Sequence, residues 1–491
     1  MPAPLSHKVR RTLAGACAAS LLLAGCASMA PPYEAPPLPV PAQYADGGDD
    51  ATAGSRNPDW RDADWRAYFA DPQLQALIAQ ALDSNRDLRG AALRVAEARA
   101  AYGIQRADEL PGVSAQAGVD RSRVPGDLNL TGRPLLGSQY QAGLALASWE
   151  LDFWGRVRSL SDAALQSYLA TDAARRAATL ALISRVADSY LLLREYDERI
   201  VLARQTIASR EETLRIYARR VAVGATSRLN LTQVQTLLTQ AQALGAQLEQ
   251  ARASQFNALQ LLVGAPVALP ANGTGLDDPR MPDTLRAGLP SELLTRRPDV
   301  VAAEHRLRAA NANIGAARAA FFPRIALTGS FGTASAELDG LFASGSQAWT
   351  FSPGISLPLF DGGRRQANLS LTEARRDLAV AGYEQTVQTA FRDVSDALAA
   401  QRWLGEQLAI AEAALAAQTE RARLSRLRHE NGAAAFLEVL DAERDLLVAQ
   451  QQRVSIRRAL LSSRVALYAA LGGGSLDERA VPAVPQSITT P

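Results

Sequence analysis

The chain is written twice. Asp87-Leu88, Arg94, Ala98, Ala100, Gly103, Arg106-Ala107 and Pro111 align with Asp299-Val300, Arg306, Ala310, Ala312, Gly315, Arg318-Ala319 and Pro323 at an offset of 212. Further on, Gly155-Arg156, Gly224-Ala225, Leu229, Leu238 and Gly264 align with Gly363-Arg364, Gly432-Ala433, Leu437, Leu446 and Gly472 at an offset of 208. The change of offset falls between Pro111 and Gly155, and a length change belongs in a loop. Solenoid repeats run roughly 20–50 residues. Units of about 200 residues are too long for them and fit a duplicated domain.

The spacing inside each unit is the same. Gly155 to Gly224 and Gly363 to Gly432 are both 69 positions, and Gly224 to Gly264 and Gly432 to Gly472 are both 40. The arms between these glycines contain no proline. They are rich in Ala, Leu, Arg, Gln and Glu, and only 6% of the chain is aromatic, which is a long-helix composition. Apolar residues recur every seven positions at Ile200, Ile207, Leu214 and Val221, at Val380, Val387 and Val394, and at Leu440, Leu447, Val454, Leu461 and Tyr468. A sustained heptad predicts a coiled-coil seam. At 1.5 Å per residue the longer arms reach about 100 Å and the returning arms about 60 Å. Helices at about 71–110 and 291–322 are expected to stack on the returning arms and restore the length. Gly224 and Gly432 read as left-handed residues of tight helix–helix turns.

The segments between the helices change period. Val113, Ala115, Ala117 and Val119 alternate with Ser114, Gln116 and Gly118, and Tyr140, Ala142, Leu144 and Leu146 alternate with Gln139, Gln141 and Gly143. In the second unit Ile325, Leu327 and Phe331 oppose Ala326, Thr328 and Ser330, and Trp349, Phe351 and Ile355 oppose Thr350, Ser352 and Gly354. Period 2 with Gly- and Pro-rich loops predicts two β-hairpins, at about 112–149 and 324–359. One face is apolar and the other small and polar, the pattern of a membrane β-barrel strand. No segment holds about 18 consecutive apolar residues, so a membrane would have to be spanned by strands. Four strands cannot close a barrel, which needs at least about eight, so closure requires an oligomer whose number the pattern leaves open.

Residues 1–25 read as an export signal, with Lys8, Arg10 and Arg11 before the apolar run Leu13 to Ala24. Leu23-Ala24-Gly25-Cys26 has the form of a lipobox, which makes Cys26 the expected attachment point of a diacylglycerol and acyl lipid. Ala27 follows, where inner-membrane retention uses Asp, so the outer membrane is favoured. Pro31, Pro32, Pro36, Pro37, Pro39 and Pro41 then predict an extended, polyproline-like spacer between lipid and fold, the alternative being a disordered linker with no role beyond reach. Lys8 is the one lysine, which leaves no mature residue for Schiff-base chemistry. Beyond the leader, Cys26, His305 and His429 cannot form a Cys/His metal cluster. A net charge of +2 gives no footprint for nucleic acid. No nucleophile elbow or catalytic constellation is visible, and no enzyme activity is expected.

Trp65, Phe69-Ala70-Asp71-Pro72, Leu74, Leu77-Ile78, Asn85 and Asp87-Leu88 resemble the TolC family of outer-membrane efflux proteins, most closely its NodT-type lipoprotein branch. So do Leu289-Pro290-Ser291, Arg296-Arg297-Pro298-Asp299, Ala303-Glu304, Ile314-Gly315 and Phe321-Phe322-Pro323, and the junctions Trp149-Glu150-Leu151-Asp152 and Phe360-Asp361-Gly362-Gly363-Arg364. The resemblance covers about 58 to 472. It implies a mainly α fold with a β-barrel part. Duplicated helical hairpins would form a periplasmic α-barrel, and four strands per chain would enter a 12-stranded barrel of a homotrimer in outer-membrane lipid. The expected organisation is signal peptide 1–25, lipidated tether and equatorial segment 26–70, first repeat 71–264, linker 265–290, second repeat 291–472 and tail 473–491. The expected long helices are 156–222, 226–262, 364–430 and 433–471.

The resemblance further implies a passive duct for drugs or other toxic compounds, with a periplasmic adaptor (membrane fusion) protein and an inner-membrane transporter of RND type as partners. The adaptor would grip the tips Gly224, Ala225, Thr226 and Ser227, and Gly432, Ala433, Ala434 and Ala435. Glu438 and Asp441 match the two acids that ring the periplasmic aperture, and at i, i+3 they share a helix face. Many relatives carry a basic residue where this chain has Ala434, and some carry Asp where it has Asn230, so Arg228 is expected to replace the missing closing contact. His429 reads as a solvated helix residue, Arg296-Arg297 as structural, and Trp60, Trp65, Tyr68 and Phe69 as packing. The alternative reading is a periplasmic coiled-coil adaptor or scaffold lipoprotein, though that class has one long hairpin rather than a duplicated one with four amphipathic strands.

Overall fold

The structure is a computed structural model and describes residues 28–44, 64–269, 275–276, 281–282 and 297–473. The export signal, Cys26, Trp60, Arg296, the start of the expected 291–322 helix, most of the 265–290 linker and the tail beyond 473 lie outside the described residues.

The order of elements is α1 (Trp65–Tyr68), α2 (Pro72–Ser84), α3 (Arg86–Ala107), β1 (Val113–Val124), β2 (Leu135–Glu150), α4 (Arg156–Ala222), α5 (Arg228–Val263), α6 (Pro298–Ala319), β3 (Arg324–Ser335), β4 (Gln347–Ser356), α7 (Arg364–Glu430) and α8 (Phe436–Ala470). The two long arms, α4 and α7, are 67 residues each. Among the described residues no helix is long and apolar enough to cross a membrane. The chain divides into two compact units, and each draws on both sequence repeats.

The first unit contains 95–171 and 302–383 and holds the sheet. Its strands lie in the order β1-β2-β3-β4, each pair antiparallel. The β2–β3 ladder therefore joins the hairpins of the two repeats. Register carries the alternation across all four strands. Val113, Leu146, Gly329 and Phe351 form one row, and Ala115, Leu144, Phe331 and Trp349 the next on the same face. The other face carries Ser114, Ala145, Ser330 and Thr350, then Gln116, Gly143, Gly332 and Ala348. On that face the Ser330 and Thr350 hydroxyls lie 2.7 Å apart. The strands outrun the clean alternation, because Arg121 and Arg123 still pair with Ser138 and Leu136. β1 and β4 each have one open edge, and an edge is where a sheet tolerates Pro353.

The second unit contains 38–94, 172–301 and 384–491. The helix expected over 71–110 breaks at Asn85, whose backbone is extended (φ −67°, ψ 128°). Its side chain accepts from the Leu88 N–H at 2.8 Å and donates to the Leu262 carbonyl at 2.7 Å. Asn85 thus ends one helix, starts the next and ties both to the end of α5, as Asn at a cap does. Asp71 caps α2 by accepting from the Gln73 N–H at 2.8 Å, and it also takes the Tyr190 hydroxyl at 2.8 Å. Trp65, Tyr68 and Phe69 pack as expected. Tyr68 stacks on Tyr468 at 4.4 Å, and all three are at most 2% exposed. The seam of α8 is buried at Leu440, Val454, Leu461 and Tyr468, whereas Leu447 is half-buried. In α4, Ile200 packs on Leu248, but Ile207, Leu214 and Val221 are only half-buried. Arg297 is structural, bridging Asp299 at 2.6 Å and Asp393 at 3.2 Å. Burial works against its charge, but the two carboxylates more than offset this and raise its pKa.

Candidate functional site

Both tips lie in the second unit and share one turn. In the first, Gly224 (φ +75°) donates to Val221 O at 3.0 Å and Ala225 to Arg220 O at 2.8 Å. In the second, Gly432 (φ +73°) donates to His429 O at 2.9 Å and Ala433 to Arg428 O at 2.8 Å. These pairs define a Schellman motif, in which only glycine takes the positive φ without strain. Beyond the glycine the two tips differ. Ser227 caps α5 by accepting from the Asn230 N–H at 3.3 Å, and the Asn230 amide donates to Thr226 Oγ1 at 3.0 Å. The corresponding residue of the second tip, Ala435, offers no side-chain cap to α8.

The second tip is held instead by α7. Arg428 donates to Glu438 at 2.7 Å and to the Ala433 carbonyl at 3.3 Å. His429 Nδ1 lies 3.1 Å from the Ala434 carbonyl oxygen, and its ring is 5.2 Å from that of Phe436. Phe436 stacks on Tyr217 at 4.1 Å, and Tyr217, Val234 and Leu440 form the apolar cluster beneath. Helices α4, α5 and α8 all contribute to it. His429 is therefore half-buried and engaged, not a plain solvated residue. Asp441 pairs with Arg444 at 3.1 Å. Glu438 and Asp441 share a helix face as expected, but Arg428 and Arg444 neutralise them, and Arg228 holds no acid among the described residues.

In the first unit the strand-to-helix junctions are pinned by charge. Glu150, at the end of β2, accepts from Arg156 at 2.7 and 2.8 Å and pairs with Arg324 at 2.7 Å, which joins β2, β3 and α4. Trp154 donates to the Pro323 carbonyl at 2.8 Å and stacks on Phe322 at 4.8 Å. Asp361 accepts from the Gly363 N–H at 3.1 Å and Arg365 Nε at 2.7 Å, which starts α7.

The proline-rich spacer is not free where it is described. Asn311 donates to the Pro31 carbonyl at 2.8 Å, and the Tyr33 hydroxyl to Glu304 at 3.1 Å. Arg308 covers the Tyr33 ring at 4.9 Å. A Cβ on Gly315 would fall 2.7 Å from Ala30 N, so the strap sits where only glycine leaves room. Burial, together with the charge of Glu304, pushes Tyr33 up to about 12. The described part of the extended spacer is thus docked on α6, which disfavours the alternative of a disordered linker there. Composition read the prolines as extended chain, while Tyr33 and the ridge of α6 supply the docking.

A sheet with one apolar face, two open edges and twin helical hairpins defines an outer-membrane duct component. Residues 77–265 and 289–473 match the profile of the Outer membrane efflux protein family, and the chain belongs to that family. It is 46% identical over 454 residues to the outer membrane protein OprJ of Pseudomonas aeruginosa, covering 92% of this chain and 94% of OprJ. It is 44% identical over 467 residues to the toluene efflux pump outer membrane protein TtgI of Pseudomonas putida, covering 93% and 97%. The crystal structure of the open state of the Neisseria gonorrhoeae MtrE outer membrane channel matches with a TM-score of 0.83 at 41% identity, over 91% of this chain and 98% of that one. The chain is the outer-membrane channel component of an efflux pump, which favours the duct over the adaptor reading. Its strands contribute to a trimeric barrel, its helices extend into the periplasm, and it works with an adaptor and an inner-membrane pump.

Proposed function

We propose that three copies of this chain form a duct that releases small apolar and aromatic toxic compounds, antibiotics among them. Relatives named for toluene, solvent and antibiotic efflux support this substrate class. The observation that carries the reading is the sheet: its apolar face fits lipid, and its open edges are completed by further strands. A diacylglycerol on Cys26 anchors the chain, and the strap over α6 holds the residues just after it close to the first unit. The tips at 224–227 and 432–435 receive the adaptor, and an RND-type transporter supplies the driving force. Glu438 and Asp441 line the periplasmic aperture, each held by an arginine of its own chain in the resting state. The repeat, linker and tail boundaries at 71–264, 265–290, 291–472 and 473–491 complete this reading.

The experiment is deletion of the gene with profiling against solvents and antibiotics. Sensitisation to at least one aromatic compound, reversed by the wild-type gene, is expected. Unchanged tolerance across the panel in a strain without a second channel would contradict the substrate class.

A further inference from the structure

Helix α6 separates two surfaces of the first unit. Glu304, Arg308, Asn311 and Gly315 form a single ridge, at i, i+4, i+7 and i+11, and the strap covers it. Half a helical turn away, Arg306, Asn313 and Ala317 lie on the opposite side of the same helix. There they line a groove of about 580 Å³ together with α4 and α7. Arg306 and Arg375 stand in this groove, and neither holds an acid among the described residues. A third guanidinium, Arg156, is already engaged by Glu150. Small side chains, alanines such as Ala309 and Ala317, line it with Leu160.

We propose that this groove is a way-station for organic anions, an aromatic carboxylate being the simplest, on the inner wall of the duct. The proposal rests on the duct reading. On the duct reading the strap, which follows the lipid-bearing Cys26 in sequence, runs outside the wall, so the opposite surface of α6 faces inward. A guanidinium presents a planar fork that matches a carboxylate. An alanine lining leaves room for a flat ring, and the volume lies within the range of small-ligand pockets, about 300–1,000 Å³. Two like charges without an acid between them also focus anions into the groove. Both arginines are exposed, so the attraction is weak and salt-screened. A duct requires this, because a site that binds tightly does not release.

The test uses full-length lipidated protein in planar bilayers, with salicylate as the probe at low and high salt. Salicylate is expected to reduce the wild-type current at low salt. The effect should fall several-fold in Arg306→Gln/Arg375→Gln, whose heat-modifiable oligomer should match wild type, and at high salt. Equal reduction in wild type and double variant would overturn the groove, as would a conducting wild type that salicylate leaves unchanged. A wild type that forms no channel would instead overturn the duct reading on which the proposal stands. If the glutamine variant fails to assemble, Arg306→Lys/Arg375→Lys provides the second arm: it keeps the charge and should retain most of the salicylate effect, and loss of all effect there would count against charge focusing.

Discussion

The two tips share a turn and differ in the side chains that close it. Gly224 and Gly432 make the same pair of backbone hydrogen bonds. The first tip then closes locally, through Ser227, Asn230 and Thr226. It lies in a stretch, 213–248, without a single Asp or Glu. The second tip has no cap at Ala435, and it borrows Arg428 and His429 from the preceding helix to hold its backbone and its acid. One hairpin end is therefore self-contained, while the other is tied by side chains that can let go. An aperture that must open fits the second kind. An isolated exposed ion pair contributes only about 0–1 kcal/mol and exchanges readily.

The shared part should break equally. Gly224→Val and Gly432→Val each put a β-branched residue at positive φ, costing about 1–3 kcal/mol. Both should lower the unfolding temperature of the purified oligomer by similar amounts. A large loss in one alone would show that the turns are not equivalent.

The caps should separate the tips. Ser227→Ala is expected to destabilise by about 1 kcal/mol, and Ala435→Ser to stabilise by up to about that much. Denaturant titration of both variants checks the opposite signs.

The clasp is weaker still. Arg428 and Glu438 are 57% and 37% exposed, so a double-mutant cycle of Arg428→Ala and Glu438→Ala should give a coupling of only a few tenths of a kcal/mol. Channel opening should nonetheless respond, because the pair spans the turn.

The smallest effect is that of pH. A hydrogen bond from Arg421, with a further one from Arg444, holds Asp445 below the usual carboxylate range. Its folded pKa lies below the unfolded value, so its stabilisation is present above the unfolded pKa and is lost as pH falls through the folded one. Acidification below about pH 4 should therefore loosen the second hairpin slightly near its tip and leave the acid-free first tip, 213–248, untouched. Hydrogen exchange at both tips across that range reads the difference.

Much of this was legible in the sequence. The duplication, the proline-free arms, the four strands and the two turns follow from spacing and period, because each is a local pattern. The remainder depends on distant partners. Asn85 breaks a helix by bonding a carbonyl 177 positions away, and Tyr33 docks on an acid 271 positions away. No window along the chain contains either pair. The proposed gate lies between these cases. The acids Glu438 and Asp441 stand out in the sequence, which points to Arg228 as a closing contact, whereas the structure pairs them with Arg428 and Arg444. Folding the hairpin about Gly432 would have placed Arg428, four before it, opposite Glu438, six after it, and that signal was available.

The most direct measurement is the single-channel conductance of the reconstituted oligomer, wild type against Asp441→Ala and Glu438→Ala/Asp441→Ala. Wild type should show a small resting conductance, Asp441→Ala a larger one and the double variant the largest, since each change removes a charge that the arginines of the second tip hold. Three equal conductances would contradict the assignment of the aperture to this tip.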